Sequence, residues 1–181
     1  MKKQLKVPEY LLVTGLVFLL IVFAAAQIKR VPHTPNEEYV CLPCGNTCDN
    51  TVYDQPGTCP VCHLVLVKKS SITFKTIRPS QICAFIKANP DVLLIDVRTR
   101  EEYEGKADTY GTLQHAINIP VSDLEKRLPM MGSMKHRQII VYCSHSHRSP
   151  QAAYMLTQHG FSDVSNMSGG MSTMEDNSCK R

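Results

Sequence analysis

The chain has 181 residues, 43% of them apolar, with 20 Lys plus Arg against 16 Asp plus Glu and a net charge of +4. That composition excludes a largely disordered chain and leaves room for one domain of ordinary size beside a small module. Lys2, Lys3, Lys6 and Glu9 carry half of the net charge, and no basic run with interleaved aromatics follows, so no nucleic-acid partner is expected.

Residues 1–28 read as an export signal. Lysines precede an uncharged run from Tyr10 to Ile28, most apolar from Leu11 to Phe23. The full run is close to the roughly 20 residues that span a bilayer, which makes it a signal anchor. Ala24-Ala-Ala26 offers a cleavage site near residue 26 instead. Lys29 and Arg30 directly after it favour retention. The soluble part is then expected outside the cytoplasm, held to the membrane and periplasmic in a Gram-negative host, or secreted or periplasmic after cleavage. Residues 29–38, with Pro32 and Pro35, read as a linker.

A cysteine module occupies residues 39–68. Cys41-Leu-Pro-Cys44 and Cys59-Pro-Val-Cys62 form two C-x2-C knuckles with fourteen residues between them. Two such knuckles can wrap four thiolates around one ion, and a segment this short has too little core to fold without a staple. Cys41, Cys44, Cys59 and Cys62 are therefore the expected ligands of a structural zinc, with Cys48 and His63 either alternative ligands or surface residues. Disulfides remain open, because export permits them and five cysteines would leave one over. Cys59-Pro-Val-Cys62-His63 also fits haem attachment, which the second knuckle and Pro60 disfavour. The segment resembles small heavy-metal-binding, zinc-ribbon-like modules, with Cys41-Leu-Pro-Cys44 departing from their Cys-Pro-Met-His opening.

Residues 69–176 alternate between strand and helix patterns. Strands are expected at 72–77, 92–96, 116–119, 138–142 and near Val164, and helices from Pro79 to Ala88, near Glu101, from Ser122 to Leu128 and from Pro150. Such alternation implies an α/β domain with a mostly parallel sheet flanked by helices, whose ligands bind beyond the carboxyl ends of the strands. Cys83 is expected in the core beside Ile82 and Phe85. Cys179 is read as incidental in a polar tail, residues 177–181. Met130, Met131 and Met134 with His136 read as a loop packing its thioethers on the domain rather than a soft-metal site.

Ile139-Ile-Val-Tyr-Cys-Ser-His-Ser-His-Arg-Ser149 is the chemically richest stretch. A buried strand ends on Cys143, and Ser149-Pro150 supplies an N-cap hydroxyl and a first-turn proline for the next helix. The helix amides, its dipole and Arg148 favour negative charge there, so the Cys143 thiol is expected to ionise readily and act as a nucleophile. His145 and His147 are either solvated or tune that thiolate. Asp96 and Arg98, just past a buried strand, are expected to fix loop geometry.

Cys143 to Ser149, with four residues between Cys143 and Arg148, resembles the active-site loop of single-domain rhodanese-like sulfurtransferases. Asp96-Val-Arg98 with Glu102-Tyr103, Ala116-Ile-Asn-Ile-Pro120, Gly160-Phe161 and Gly169-Gly-Met171 follow the family's order of motifs. The resemblance implies that Cys143 takes the outer sulfur of a thiosulfate-like donor as a persulfide. Arg148 and the loop residues Ser144, His145, Ser146, His147 and Ser149 would bind substrate, and a thiol or cyanide would accept the sulfur. Related cysteine phosphatases have five residues in this loop, which places phosphatase-like or arsenate-reductase-like activity third.

Three departures stand out. Ser146 replaces the loop glycine, residues 105–110 are an insertion at the rim, and no tryptophan follows Gly170, where Met174 is expected to fill the space. Ser146 favours a rival in which the domain is a non-catalytic binding or scaffold protein. No protein partner is legible.

Overall fold

The computed structural model describes residues 37–181. The predicted anchor at residues 1–28 and most of the linker lie outside the described residues. Among the described residues no helix is long and apolar enough to cross a membrane.

The cysteine module is a three-stranded antiparallel sheet. Strand β1 (Tyr39–Val40) pairs with β2 (Val52–Tyr53) on one side and β3 (Val67–Lys68) on the other. Its interior is Tyr39, Leu66 and the sulfurs of Cys41, Cys44, Cys48 and Cys59. So small a core leaves stability to whatever holds those sulfurs.

The remainder is a five-stranded parallel sheet in the order β4-β8-β7-β5-β6. In chain order it comprises β4 (Lys75–Ile77), α1 (Pro79–Ala88), β5 (Leu93–Asp96), α2 (Arg100–Tyr103), β6 (Ile117–Asn118), α3 (Val121–Arg127), β7 (Gln138–Tyr142), α4 (Ser149–Gln158) and β8 (Asp163–Met167). The expected α/β alternation is present, with β4 shorter than its apolar run because Ile72 and Phe74 pack onto the core before pairing begins. Side chains on the central strands go alternately to two cores. Leu93, Ile95, Ile139, Val141 and Cys143 face Ala152, Ala153 and Leu156 of α4. Leu94, Ile140 and Tyr142 face Ile82 of α1 with Leu113, Met167 and Met171. Met174 is buried in this second core, as expected for the residue that stands in for a tryptophan.

The module and the α/β domain share one core. Leu42, two residues after β1, is buried with the residues that surround Cys143. Ser71 Oγ lies 3.0 Å from Tyr154 Oη on α4, and Gln158 Nε2 donates to the Ser71 carbonyl.

One sulfur assignment is corrected. Cys83 is buried in the core beside Ile82 and Phe85, as expected, but it forms a disulfide with Cys179 across 96 residues of sequence, so Cys179 is not incidental. The segment read as a tail is laid against the domain, with the Gln114 amide donating to Cys179 O, the Arg181 amide to Thr112 O, and the Arg181 guanidinium 4.6 Å from the Tyr103 ring centroid. The pairing was not legible because no local spacing links residues so far apart. The methionine loop packs as expected, with Met131 buried and Met134 against the core, while Met130 is exposed.

Candidate active site and cysteine cluster

Strand β7 delivers Cys143 to the carboxyl end of the sheet, where the sulfur is fully buried and 3.3 Å from Ser149 Oγ. Ser149 was expected to cap the following helix, but α4 begins at Ser149 and Arg148 takes the N-cap position without a side-chain bond. A residue already inside the first turn does not aim its hydroxyl at the second or third amide. The Ser149 hydroxyl is therefore free to face the sulfur.

Ser146 sits at φ 64°, in the left-handed region where a glycine would be unstrained. The buried serine that replaces the loop glycine adopts this conformation. His145 and His147 are exposed on either side, with His147 Nδ1 donating to the His145 carbonyl at 3.1 Å.

Arg148 is already paired. Its Nη1 and Nη2 donate to Glu102 Oε2 and Oε1 at 2.5 and 2.7 Å. Glu102 is fixed in turn by α2, where Thr99 and Glu102 form a reciprocal capping box. The Arg148 guanidinium holds the Glu102 carboxyl well below the usual carboxylate range, at about 2, and Glu102 raises the pKa of Arg148. Ser144 Oγ lies within 2.9 Å of Glu102 Oε1 and 3.3 Å of Asp108 Oδ2. Glu102 belongs to the Glu102-Tyr103 motif, from which no role for its carboxylate followed. The signal for its position was the Thr99-Arg-Glu-Glu102 capping pattern.

The insertion shapes the rim, as expected. Tyr110 lies edge-on to His145, ring centroids 5.3 Å apart, with its hydroxyl 3.1 Å from Nε2. Asp108 accepts two bonds from Arg98 Nη1. Arg98 and Asp96 are both fully buried, and Arg98 also donates to the Asp96 carboxylate, Gly111 O and Thr112 Oγ1. Burial opposes the charge on Arg98, but the Asp96 carboxylate outweighs it and its pKa is raised. The pair thus holds rim loops and does not reach Cys143. Burial first, and the Asp96 charge second, pushes the Tyr142 phenol well above its ordinary value.

The closing Gly-Gly segment is part of the site. Met171 and Ser172 amides donate to the carbonyls of Cys143 and Ser144 at 2.9 and 3.0 Å. Gly170 has φ 69°, and a Cβ there would come within about 2.4 Å of the Ser144 carbonyl oxygen. Only glycine lets the two chains approach so closely. Two cavities of about 420 Å³ flank Tyr103 and Arg181 and are not lined by Cys143.

The cysteine module gathers a different set of sulfurs from the one expected. Cys41, Cys48, Cys59 and Cys62 lie mutually within 4.8 Å, while Cys44 groups with Cys48 and Asp49. Cys48 takes the place expected for Cys44 because the single turn Thr47–Asn50 carries it inward. The Cys44 and Gly45 amides are instead anchored on the Asp49 carboxylate. None of the five is disulfide-bonded.

Comparison with known proteins places these features in a family. A protein described as tRNA uridine(34) hydroxylase from Photorhabdus laumondii is 30% identical over 117 residues, covering 58% of this chain and 32% of that protein. Its counterpart from Pectobacterium atrosepticum is 27% identical over 108 residues, covering 53% and 29%. The chain spans about a third of the length of these curated relatives. A solved protein of Staphylococcus saprophyticus superposes with a TM-score of 0.50 at 23% identity, over 60% of this chain and 100% of its own. The human single-domain sulfurtransferase does so at 0.44 and 25%, over 52% and 89%. A family model described as Rhodanese-like domain matches residues 83–177, more than half of the chain, and the chain belongs to the rhodanese-like family.

Proposed function

We propose that this protein is a sulfurtransferase working through a Cys143 persulfide. The carrying observation is the sulfur at the carboxyl end of β7, enclosed by a four-residue loop that ends on Arg148 and 3.3 Å from the Ser149 hydroxyl. The Cys143 thiolate attacks the outer sulfur of a thiosulfate-like donor, the donor's S–S bond breaks, and the sulfite leaves with the electron pair. A thiol or cyanide acceptor then takes the outer sulfur and returns Cys143 to the thiolate. Arg148 supplies the positive charge for the anionic donor, which displaces Glu102 from it. Because Cys143 has no exposure, donor entry requires the Ser144–His147 segment or the Arg148–Glu102 pair to move.

The same burial favours a second reading, in which the loop has lost turnover and the domain binds or scaffolds. A phosphatase-like or arsenate-reductase-like activity fits less well, since the loop is one residue shorter than those enzymes use. Uridine hydroxylation, which the relatives' names carry, is not proposed for a chain that matches under a third of their length. We further propose that the cysteine module holds a structural zinc, and that residues 1–28 keep the domain at a membrane outside the cytoplasm. In this reading Ser144, His145, Ser146, His147 and Ser149 line the donor's path.

The reaction is tested by mixing the full chain with thiosulfate and cyanide and following thiocyanate. The proposal expects turnover by the parent and none by Cys143→Ser. Equal turnover by the two would remove Cys143 from the reaction, and none by either with several donors would favour the binding reading.

A further inference from the structure

We infer that the module's metal site is built by Cys41, Cys48, Cys59 and Cys62, with Cys44 outside it, and that it takes a thiophilic divalent cation with tetrahedral preference. The inference deepens the zinc reading above and rests on the module taking a metal at all. Four sulfurs at about 2.3 Å from one centre, in tetrahedral directions, lie roughly 3.8 Å from one another. Cys41 and Cys62 are 3.4 Å apart, and all four sulfurs fall within 4.8 Å, so binding requires shifts of well under a residue's length. Three of the four are buried and the fourth is half-buried, which shields the ion from water. The set contains no oxygen donor, which excludes magnesium and calcium.

Cys44 is excluded by what holds it. Its amide donates to Asp49 Oδ1 at 2.8 Å, its sulfur accepts from Asn46 Nδ2 at 3.5 Å, and it meets the cluster only through Cys48, 3.5 Å away. Cys59 has the surroundings of a ligand thiolate, with the Val61 amide donating to its sulfur at 3.4 Å and the Tyr53 hydroxyl at 3.7 Å. Haem attachment is disfavoured by the same geometry, because Cys59 and Cys62 turn inward to Cys41 and Cys48 and His63 stands outside the four-sulfur group.

The test compares the purified, reduced full chain with Cys44→Ala and Cys48→Ala, measuring zinc per chain by native mass and retention against a chelator. Cys44→Ala is expected to keep one zinc as firmly as the parent, and Cys48→Ala to lose it. The reverse pattern, or retention by both variants, overturns the ligand assignment while leaving a metal-binding module. A parent that takes up neither zinc nor cobalt overturns the zinc reading itself. Should Cys48→Ala fail to fold, Cys48→His and Cys44→His loaded with cobalt(II) decide the matter. A shifted absorption spectrum in the first and an unchanged one in the second are expected, and the opposite assigns Cys44 to the metal.

Discussion

The Arg148 guanidinium and the Glu102 carboxylate form a two-bond ion pair beside the buried Cys143 sulfur, so the cation of the loop is neutralised before any donor arrives. An anionic donor must compete with Glu102 for it. Glu102→Gln should therefore lower KM for thiosulfate, by roughly tenfold if about 1.4 kcal/mol of competition is relieved. A KM that rises or stays fixed would show that Glu102 orients Arg148 rather than restrains it.

The same pair gives stability a pH dependence. Glu102 has a folded-state pKa of about 2, depressed from 4.5, so its contribution is complete above about pH 5 and is lost as pH falls through 2. The Glu102→Gln variant should melt below the parent at pH 7, and the gap should close as both are titrated from pH 5 to 2. A gap that is constant with pH would mean that the ion pair contributes nothing, as many partly exposed pairs do.

Ser149 Oγ is placed to donate to the Cys143 sulfur in its anionic form. Hydrogen bonds to charged groups are worth about 1.5–3 kcal/mol, so Ser149→Ala should slow sulfur uptake from thiosulfate by roughly 10- to 100-fold in single-turnover kinetics. Unchanged uptake would remove Ser149 from the site.

Most of the α/β framework was legible, because β-branched runs such as Ile139-Ile-Val141 alternate with capped helices and leave little choice of period. The positions of Cys143, Asp96 and Arg98 followed from the ends of β7 and β5, and that of Arg148 from the start of α4. What escaped were contacts made across the fold. Glu102 reaches Arg148 over 46 residues, Gly170 meets Ser144 over 26, and Cys83 finds Cys179 over 96. Ser149 misled because a serine before a helical proline is an N-cap in most sequences, and here the helix starts one residue earlier. The C-x2-C spacing that points to Cys44 says nothing of the turn at Thr47–Asn50, which carries Cys48 inward beside Cys41, Cys59 and Cys62.

The loop conformation makes a further prediction at Ser146. A serine at φ 64° costs roughly 1 kcal/mol relative to glycine, so Ser146→Gly should raise the melting temperature by a few degrees. Gly170→Ala should do the opposite and abolish sulfur uptake, since its Cβ would push the Ser144 carbonyl and with it the Cys143 loop. Normal uptake by Gly170→Ala would show that the closing segment does not position the loop.

The Cys83–Cys179 disulfide closes a long loop and holds the C-terminal segment along Leu113 and Thr112. Its removal in Cys83→Ser with Cys179→Ser should cost about 2–4 kcal/mol in chemical denaturation. The double variant should also lose the parent's sensitivity to reductant, and a reductant effect that survives it would point to other thiols.

The central claim is that Cys143 carries sulfur, and the intact mass of the purified full chain after exposure to thiosulfate tests it most directly. The account predicts one added sulfur atom on the parent and none on Cys143→Ser, with the addition removed by a thiol. A folded, reduced parent that gains no sulfur, or a Cys143→Ser variant that gains as much, would contradict it.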